Sequence, residues 1–283
     1  MATARCTWDA VSGVDGYNVY LKSNGEFVKQ NSELIEGTVY DIENLEDGNY
    51  EAYAASVRNG FESEPSNVIP FTIGLLVVES HETTNTGDFV SEYTVDRPSG
   101  VQEGDLLIVT IAGRHGTSSS NSATYPTGWQ QIQSAVGGST ESVMFVAYKI
   151  ATSSEPASYT FTTTDPIRGS AGILRISGAD QLDPIIDSSS NAGTGTNVTA
   201  NQINVDGEGL LICSMSASGA STTPSLTTPG GMQSIWDETN QSTSTVRNIT
   251  RVSSEEFSGD MTGIRTATSN GENFAAILIG VRA

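Results

Sequence analysis

The feature that most constrains this chain is a repeat. Glu103-Gly104-Asp105-Leu106-Leu107-Ile108 returns as Gly207-Glu208-Gly209-Leu210-Leu211-Ile212. Pro126-Thr127-Gly128-Trp129-Gln130-Gln131-Ile132 returns as Pro229-Gly230-Gly231-Met232-Gln233-Ser234-Ile235. Ala171-Gly172-Ile173-Leu174 pairs in turn with Ala275-Ala276-Ile277-Leu278, so three matches keep one order at an offset of roughly 103 to 104 residues. Such self-similarity predicts two like halves stacked on a shared core. The repeated runs are short and apolar and lie between Pro and Gly, which reads as strands. Residues 106–112, 143–150, 159–163, 173–176, 210–215 and 275–281 fit this description, with Pro98, Pro126, Pro184 and Pro229 between them. No helical periodicity stands out, and 116–123 and 188–200, rich in Ser, Thr and Gly, read as loops.

The N-terminal third carries a second β pattern, with strand-like runs at 5–8, 16–21, 39–42, 50–57 and 68–73. Tyr17, Val19 and Leu21 alternate with Asn18 and Tyr20, and Tyr50, Ala52, Ala54 and Ser56 alternate with Glu51, Tyr53, Ala55 and Val57, so each strand can bury one face. Trp8, then Tyr17-Asn18-Val19-Tyr20, then Leu45-Glu46-Asp47-Gly48-Asn49-Tyr50 follow one another at spacings that resemble a fibronectin type III domain over residues 1–73. The resemblance implies that Tyr50 forms the tyrosine corner and that Trp8 is structural. It also implies that the family's first strand, which precedes the Trp-bearing one, is lacking. The expectation is an open sheet edge, either satisfied by water or completed by a strand from another chain.

Residues 75–283 suit a jelly roll, two interleaved Greek keys on a common core. The run 98–107, Pro126-Thr127-Gly128-Trp129, Tyr148-Lys149-Ile150-Ala151, Glu155-Pro156-Ala157-Ser158-Tyr159-Thr160-Phe161 and Asp183-Pro184-Ile185 resemble a β-sandwich module of phage tail and appendage proteins. The fold class is therefore all-β: a fibronectin type III sandwich (1–73) followed by a larger jelly-roll β-sandwich with an internal pseudo-repeat (75–283).

Charge narrows the function. Acidic residues outnumber basic ones 33 to 13, for a net charge of −20, which argues against a nucleic-acid partner. Cys6 and Cys213 are far apart, and no Cys or His pair has zinc-ligand spacing. The longest apolar run, 274–281, is too short for membrane insertion, and the N-terminus has no charged head before an apolar stretch. Assembly in a host cytoplasm is the expectation.

No catalytic residues are assigned. Only His81 and His115 can supply a hydrolase base, the Gly-x-Ser-x-Gly elbow is absent, and His115 in Gly113-Arg114-His115-Gly116 reads as an exposed loop residue. Glu46-Asp47, Asp105 and Glu255-Glu256 read as solvated turn acids rather than a glycosidase pair. Calcium ligands at 205–208 or 180–187 form no Asp-x-Asp-x-Asp-Gly run, and 193–195 is no nucleotide loop, so no cofactor and no metal are expected. Loop aromatics could stack on sugars, which makes Tyr125 and Trp236, with His115, the possible glycan-binding residues. Trp129 reads as structural, because its repeat partner is the apolar Met232.

The expectation is a non-enzymatic phage virion protein on the particle surface, as tail appendage, fibre or capsid decoration. Its partners would be other virion proteins, reached through the open edge near the N-terminus, and host-surface glycan. Multiple copies would share a particle, and the absence of a sustained heptad weighs against a fibre shaft. The alternatives are a bacterial surface or secreted carbohydrate-binding module and a polysaccharide-degrading enzyme.

Overall fold

Short alternating segments between turn residues build the whole chain, which a computed structural model shows as strands. The structure describes residues 2–23, 25–45, 48–74, 76–115, 121–137, 142–205, 207–219, 224–240 and 247–283. Among them there is no α-helix. The chain divides into two compact units, Met1–Leu75 with Asp180–Leu182 and Ala283, and Leu76–Ala179 with Asp183–Arg282.

The first unit holds β1 (Ala2–Thr7), β2 (Gly16–Lys22), β3 (Val28–Lys29), β4 (Val39–Leu45), β5 (Gly48–Arg58), β6 (Phe61–Glu62) and β7 (Ile69–Ile73). Among the described residues β1 pairs only with β4, whereas the other sheet runs β3-β2-β5-β6, with β7 also on β5. Val19, Leu21, Ile42, Leu45 and Ala52 are buried between them, so the alternation on β2 does select the inward face. Trp8 leans on Tyr17 at 5.4 Å between ring centres, and Tyr50 stacks on Phe71 at 5.5 Å. Buried Asn31 accepts a hydrogen bond from the Val19 N–H at 2.9 Å and donates to the Asn18 side chain at 2.7 Å.

In the second unit the first half comprises β8 (Val77–Asn85), β9 (Val90–Asp96), β10 (Leu106–His115), β11 (Ala123–Thr124), β12 (Gln130–Val136), β13 (Val143–Ile150) and β14 (Ser158–Ser177). The second comprises β15 (Ile185–Thr194), β16 (Asn197–Ala200), β17 (Glu208–Gly219), β18 (Gln233–Asn240), β19 (Arg247–Ser258), β20 (Arg265–Thr268) and β21 (Asn273–Arg282). The large sheets have the same order, β8-β14-β10-β13-β12 and β15-β21-β17-β19-β18. Behind the first, β9 and β11 flank the start of β14; behind the second, β16 and a bridge from Leu226 to Ser269 flank β20. Each half thus has jelly-roll strand order by itself, and what the repeat doubles is the whole roll.

Three buried clusters follow from this arrangement. One side of each large sheet faces its own roll: Leu107, Val109, Phe145, Phe161 and Ile173 in the first, Leu211, Met215, Val198, Ile249 and Leu278 in the second. The opposite sides face each other through Leu106, Ile108, Met144, Leu174, Leu210, Ile212, Ile277 and Ile279. β10 meets β17 at the centre, while β8 approaches β18 and β12 approaches β15, so the strand orders run in opposite senses across the interface. That is an approximate two-fold relation, the geometry of an isologous pair within one chain. Thr110 and Ser214, equivalent by the repeat, hydrogen-bond to each other there at 2.8 Å.

The repeat extends to local geometry. Trp129 and Met232 close the same turn, each N–H donating at 3.2 Å to Pro126 or Pro229, with Gly128 and Gly231 at φ of 89° and 87°. Both β12 and β18 carry a bulge at the matched residues Ile132 and Ile235.

Two expectations change. The third sequence match is one residue out of register: Ala171 sits opposite Ile111, and its structural counterpart, opposite Met215, is Ala276 rather than Ala275. Residues 188–200 are not a loop but most of β15 and β16, because Ser and Asn pair their backbones with the apolar β21 as well as any residue would. Of 116–123, only the last residues lie within the described part of the chain.

Candidate functional site

The aromatics singled out on the loops turn inward. Trp236 is 5% exposed, just past the bulge on β18, and its indole lies over Gly172 of β14, where an added Cβ would come within 2.7 Å of the ring. The bulge sets the direction: it inserts one residue and swings the next side chain towards the opposing sheet. Tyr125 is half-buried, its ring edge-on to Phe161 at 6.4 Å and its hydroxyl enclosed without a hydrogen-bond partner among the described residues. Burial pushes that phenol well above its ordinary value. His115 is fully buried at the end of β10, in the ladder opposite Ile167, rather than exposed in a loop. Trp236 and His115 are therefore buried and Tyr125 is half-buried, so among the described residues these three do not form an exposed sugar platform together. Trp129 is 8% exposed and packs edge-on against Tyr159 and Phe161 at 5.3 and 5.1 Å.

The acids also differ from expectation. Asp105 is 6% exposed, accepts the Gln102 N–H at 2.7 Å and binds the Arg175 guanidinium at 2.6 Å. Glu255 lies within β19 and pairs with Arg265. Glu46 and Asp47 lie outside the described residues. Glu155, with its side chain 1% exposed, binds Lys149 at 2.8 Å and accepts from the Thr152 N–H and hydroxyl and the Tyr159 hydroxyl. Burial works against its charge, yet these donors more than offset it and hold the carboxyl at about 2. Each of these three buried or half-buried acids is tied to a cation and braces the fold. Among the described residues no group of three His, Cys, Asp or Glu side chains could hold a metal ion.

Solvent-facing aromatics are found instead on the outer side of the larger sheet of the first unit. Tyr20 of β2 and Tyr53 of β5 are direct cross-strand partners, and their rings stack at 4.8 Å with 16° between planes. Phe27 packs edge-on to Tyr53 at 4.7 Å, and the Lys22 ammonium lies 5.5 Å from the centre of the Phe27 ring. All three rings are partly exposed. Polar groups frame them: Lys22 pairs with Glu51 at 2.9 Å, and the Glu62 carboxylate takes hydrogen bonds from the Tyr20 hydroxyl at 2.8 Å and from Asn18. Partial burial and the neighbouring Glu62 push the Tyr20 phenol up to about 12 and raise that of Tyr53, so both remain neutral donors at physiological pH.

Such a face combines apolar ring surface with a fixed carboxylate, an ammonium and phenolic hydroxyls. A pyranose presents the complementary set, an apolar C–H face rimmed by hydroxyls. Sequence reasoning passed over it because Tyr20 and Tyr53 stand on the alternate positions, away from the face that each strand was expected to bury. The signal was the residue type there: two tyrosines on the outward side of adjacent strands.

No protein-family model matches the chain, and no curated protein matches it.

Proposed function

We propose that this chain is a non-enzymatic recognition protein of a phage particle surface, contacting host-surface sugar through the Tyr20–Tyr53–Phe27 face. The exposed aromatic row framed by Lys22, Glu51 and Glu62 carries this reading. A paired roll with a common core and an acidic surface, net charge −20, suits a protein displayed in many copies, since like-charged copies repel one another. The resemblance of residues 75–283 to a module of phage tail and appendage proteins supports the particle, and the aromatic face supports attachment.

Binding to a panel of host-surface polysaccharides tests the site. Tyr53→Ala should weaken binding about tenfold, the loss of one stacked ring and the ordering of its neighbours. Binding unchanged in Tyr53→Ala would remove the face from consideration. Immunogold labelling of purified particles tests the setting separately. Labelled heads or tails fit the proposal; absence from particles, with sugar binding retained, would point to a bacterial carbohydrate-binding module instead.

A further inference from the structure

The sandwich of the first unit is lopsided. Two strands, β1 and β4, cover a sheet built from β3, β2, β5, β6 and β7. Among the described residues nothing pairs with the outer edge of β1. The Trp8 N–H donates to the Thr38 carbonyl at 3.2 Å, towards β4, and antiparallel alternation then turns the N–H and C=O groups of Arg5 and Thr7 to the unpaired side. Both side chains are exposed, while Ala4, Cys6 and Trp8 point to the core and are only half covered.

A second observation meets the first. On β7, Ile69 is opposite inward-facing Ala52 and Phe71 is opposite Tyr50, so this row faces the same core, yet Ile69 is 43% exposed and Phe71 and Ile73 are only partly buried. The Tyr40 hydroxyl of β4 donates to the Gln30 carbonyl just past β3 at 3.1 Å, so β4 lies over the β3 end of the large sheet. The free edge of β1 is then turned towards the β5 and β7 end, where one object can meet both the unpaired backbone and the uncovered apolar row. A single extended segment supplies backbone partners on one edge and apolar side chains at every second position on one face. A second copy joined β1 to β1 would satisfy the edge but would bring its own large sheet alongside, and would leave the β7 row bare. Positions 1–75 carry twelve acidic and four basic residues, so a segment with basic ends is favoured.

We infer that this edge is a strand-acceptor site, which takes an extended, basic-ended segment with alternating apolar residues from another protein. Arg5 and Thr7 provide its backbone contacts, and Ala4, Cys6, Ile69 and Phe71 line the apolar side. The site is independent of the tyrosine face, and its test does not involve sugar.

The full-length chain is titrated with a short synthetic peptide that alternates threonine with valine or isoleucine between terminal lysines, and amide exchange is followed residue by residue. Exchange at Arg5 and Thr7 should slow at least about tenfold, with no change along β21. Thr7→Pro removes an N–H that the native ladder does not use, and should weaken the peptide at least about tenfold, whereas Thr7→Ala should bind as the parent does. Ile69→Glu, at an exposed position, should weaken it too and remains informative if Thr7→Pro folds poorly. Unprotected Arg5 and Thr7 amides, or full binding by both Thr7→Pro and Ile69→Glu, would overturn the proposal. A peptide-free dimer that Thr7→Pro dissociates would overturn it as well, by giving the edge to a second copy.

Discussion

Individual side chains here show how local chemistry fixes an outcome that residue type leaves open. Glu155 would be a poor choice for an enclosed position without its partners; with Lys149, Thr152 and Tyr159 around it, the carboxylate ties the turn after β13 to the start of β14. Its native value lies near 2, below the ordinary value of 4.5, so the ionised form stabilises the fold fully above about 4.5 and that stability is lost as the pH falls towards about 2. Urea melts of the parent and of Glu155→Gln should therefore differ by up to about 3 kcal/mol near neutrality, with the gap closing across that window. A gap independent of pH would mean that packing, not charge, holds the turn. Gly172 makes a similar point by absence. The Trp236 indole occupies the space a Cβ would need, at 2.7 Å, so Gly172→Ala should cost about 1–3 kcal/mol in thermal or urea melts. The Trp236→Phe background, with a smaller ring there, should recover part of that loss.

Among the elements, what could be read from sequence depended on whether side chains or backbone made the structure. Apolar runs such as 106–112 and 275–281 are buried on both faces and lie within β10 and β21. Strands with mixed burial, β8, β15 and β19, gave no apolar run to notice, because their ladders rest on backbone groups that every residue carries. β14 was legible only as two pieces, 159–163 and 173–176: Asp165-Pro166 interrupts it where its pairing passes from β9 to β8 and β10. The Tyr20–Tyr53 face was hidden for a related reason, since alternation distinguishes two faces of a strand but a tyrosine suits either. At the meeting of β10 and β17, Thr110 and Ser214 are 2% and 0% exposed and hydrogen-bond across the two-fold relation. Thr110→Val or Ser214→Ala alone strands the other hydroxyl and should cost about 1–3 kcal/mol, while the double substitution should cost less than the sum of the singles. Additive losses in that double-mutant cycle would show that the pair does not couple the sheets.

On the scale of the whole molecule, the second unit is two rolls that fold against each other through a core as continuous as either roll's own. Leu106, Ile108, Leu174 and Ile176 from one half, with Leu210, Ile212, Ile277 and Ile279 from the other, are nearly all inaccessible, and either half alone would expose them. The large burial makes separate unfolding of one roll costly, because the survivor would present an apolar sheet face to water. The two rolls should therefore melt as one cooperative unit. Phe161 belongs to the cluster inside the first roll and Trp236 to the interface contributed by the second, so a lesion at one can be watched from the other. Phe161→Ala should destabilise by about 3–5 kcal/mol and lower the midpoint reported by Trp236 fluorescence, in a chain whose other tryptophans are phenylalanine, by the same amount as the midpoint of global β-sheet circular dichroism for this unit. If the Trp236 midpoint stays where it was while part of the sheet signal is lost earlier, the rolls are separate folding units and the interface is only contact. Equal shifts would mean that the repeat joins two rolls by the physics of a dimer interface, with chain connection holding the partner at high effective concentration.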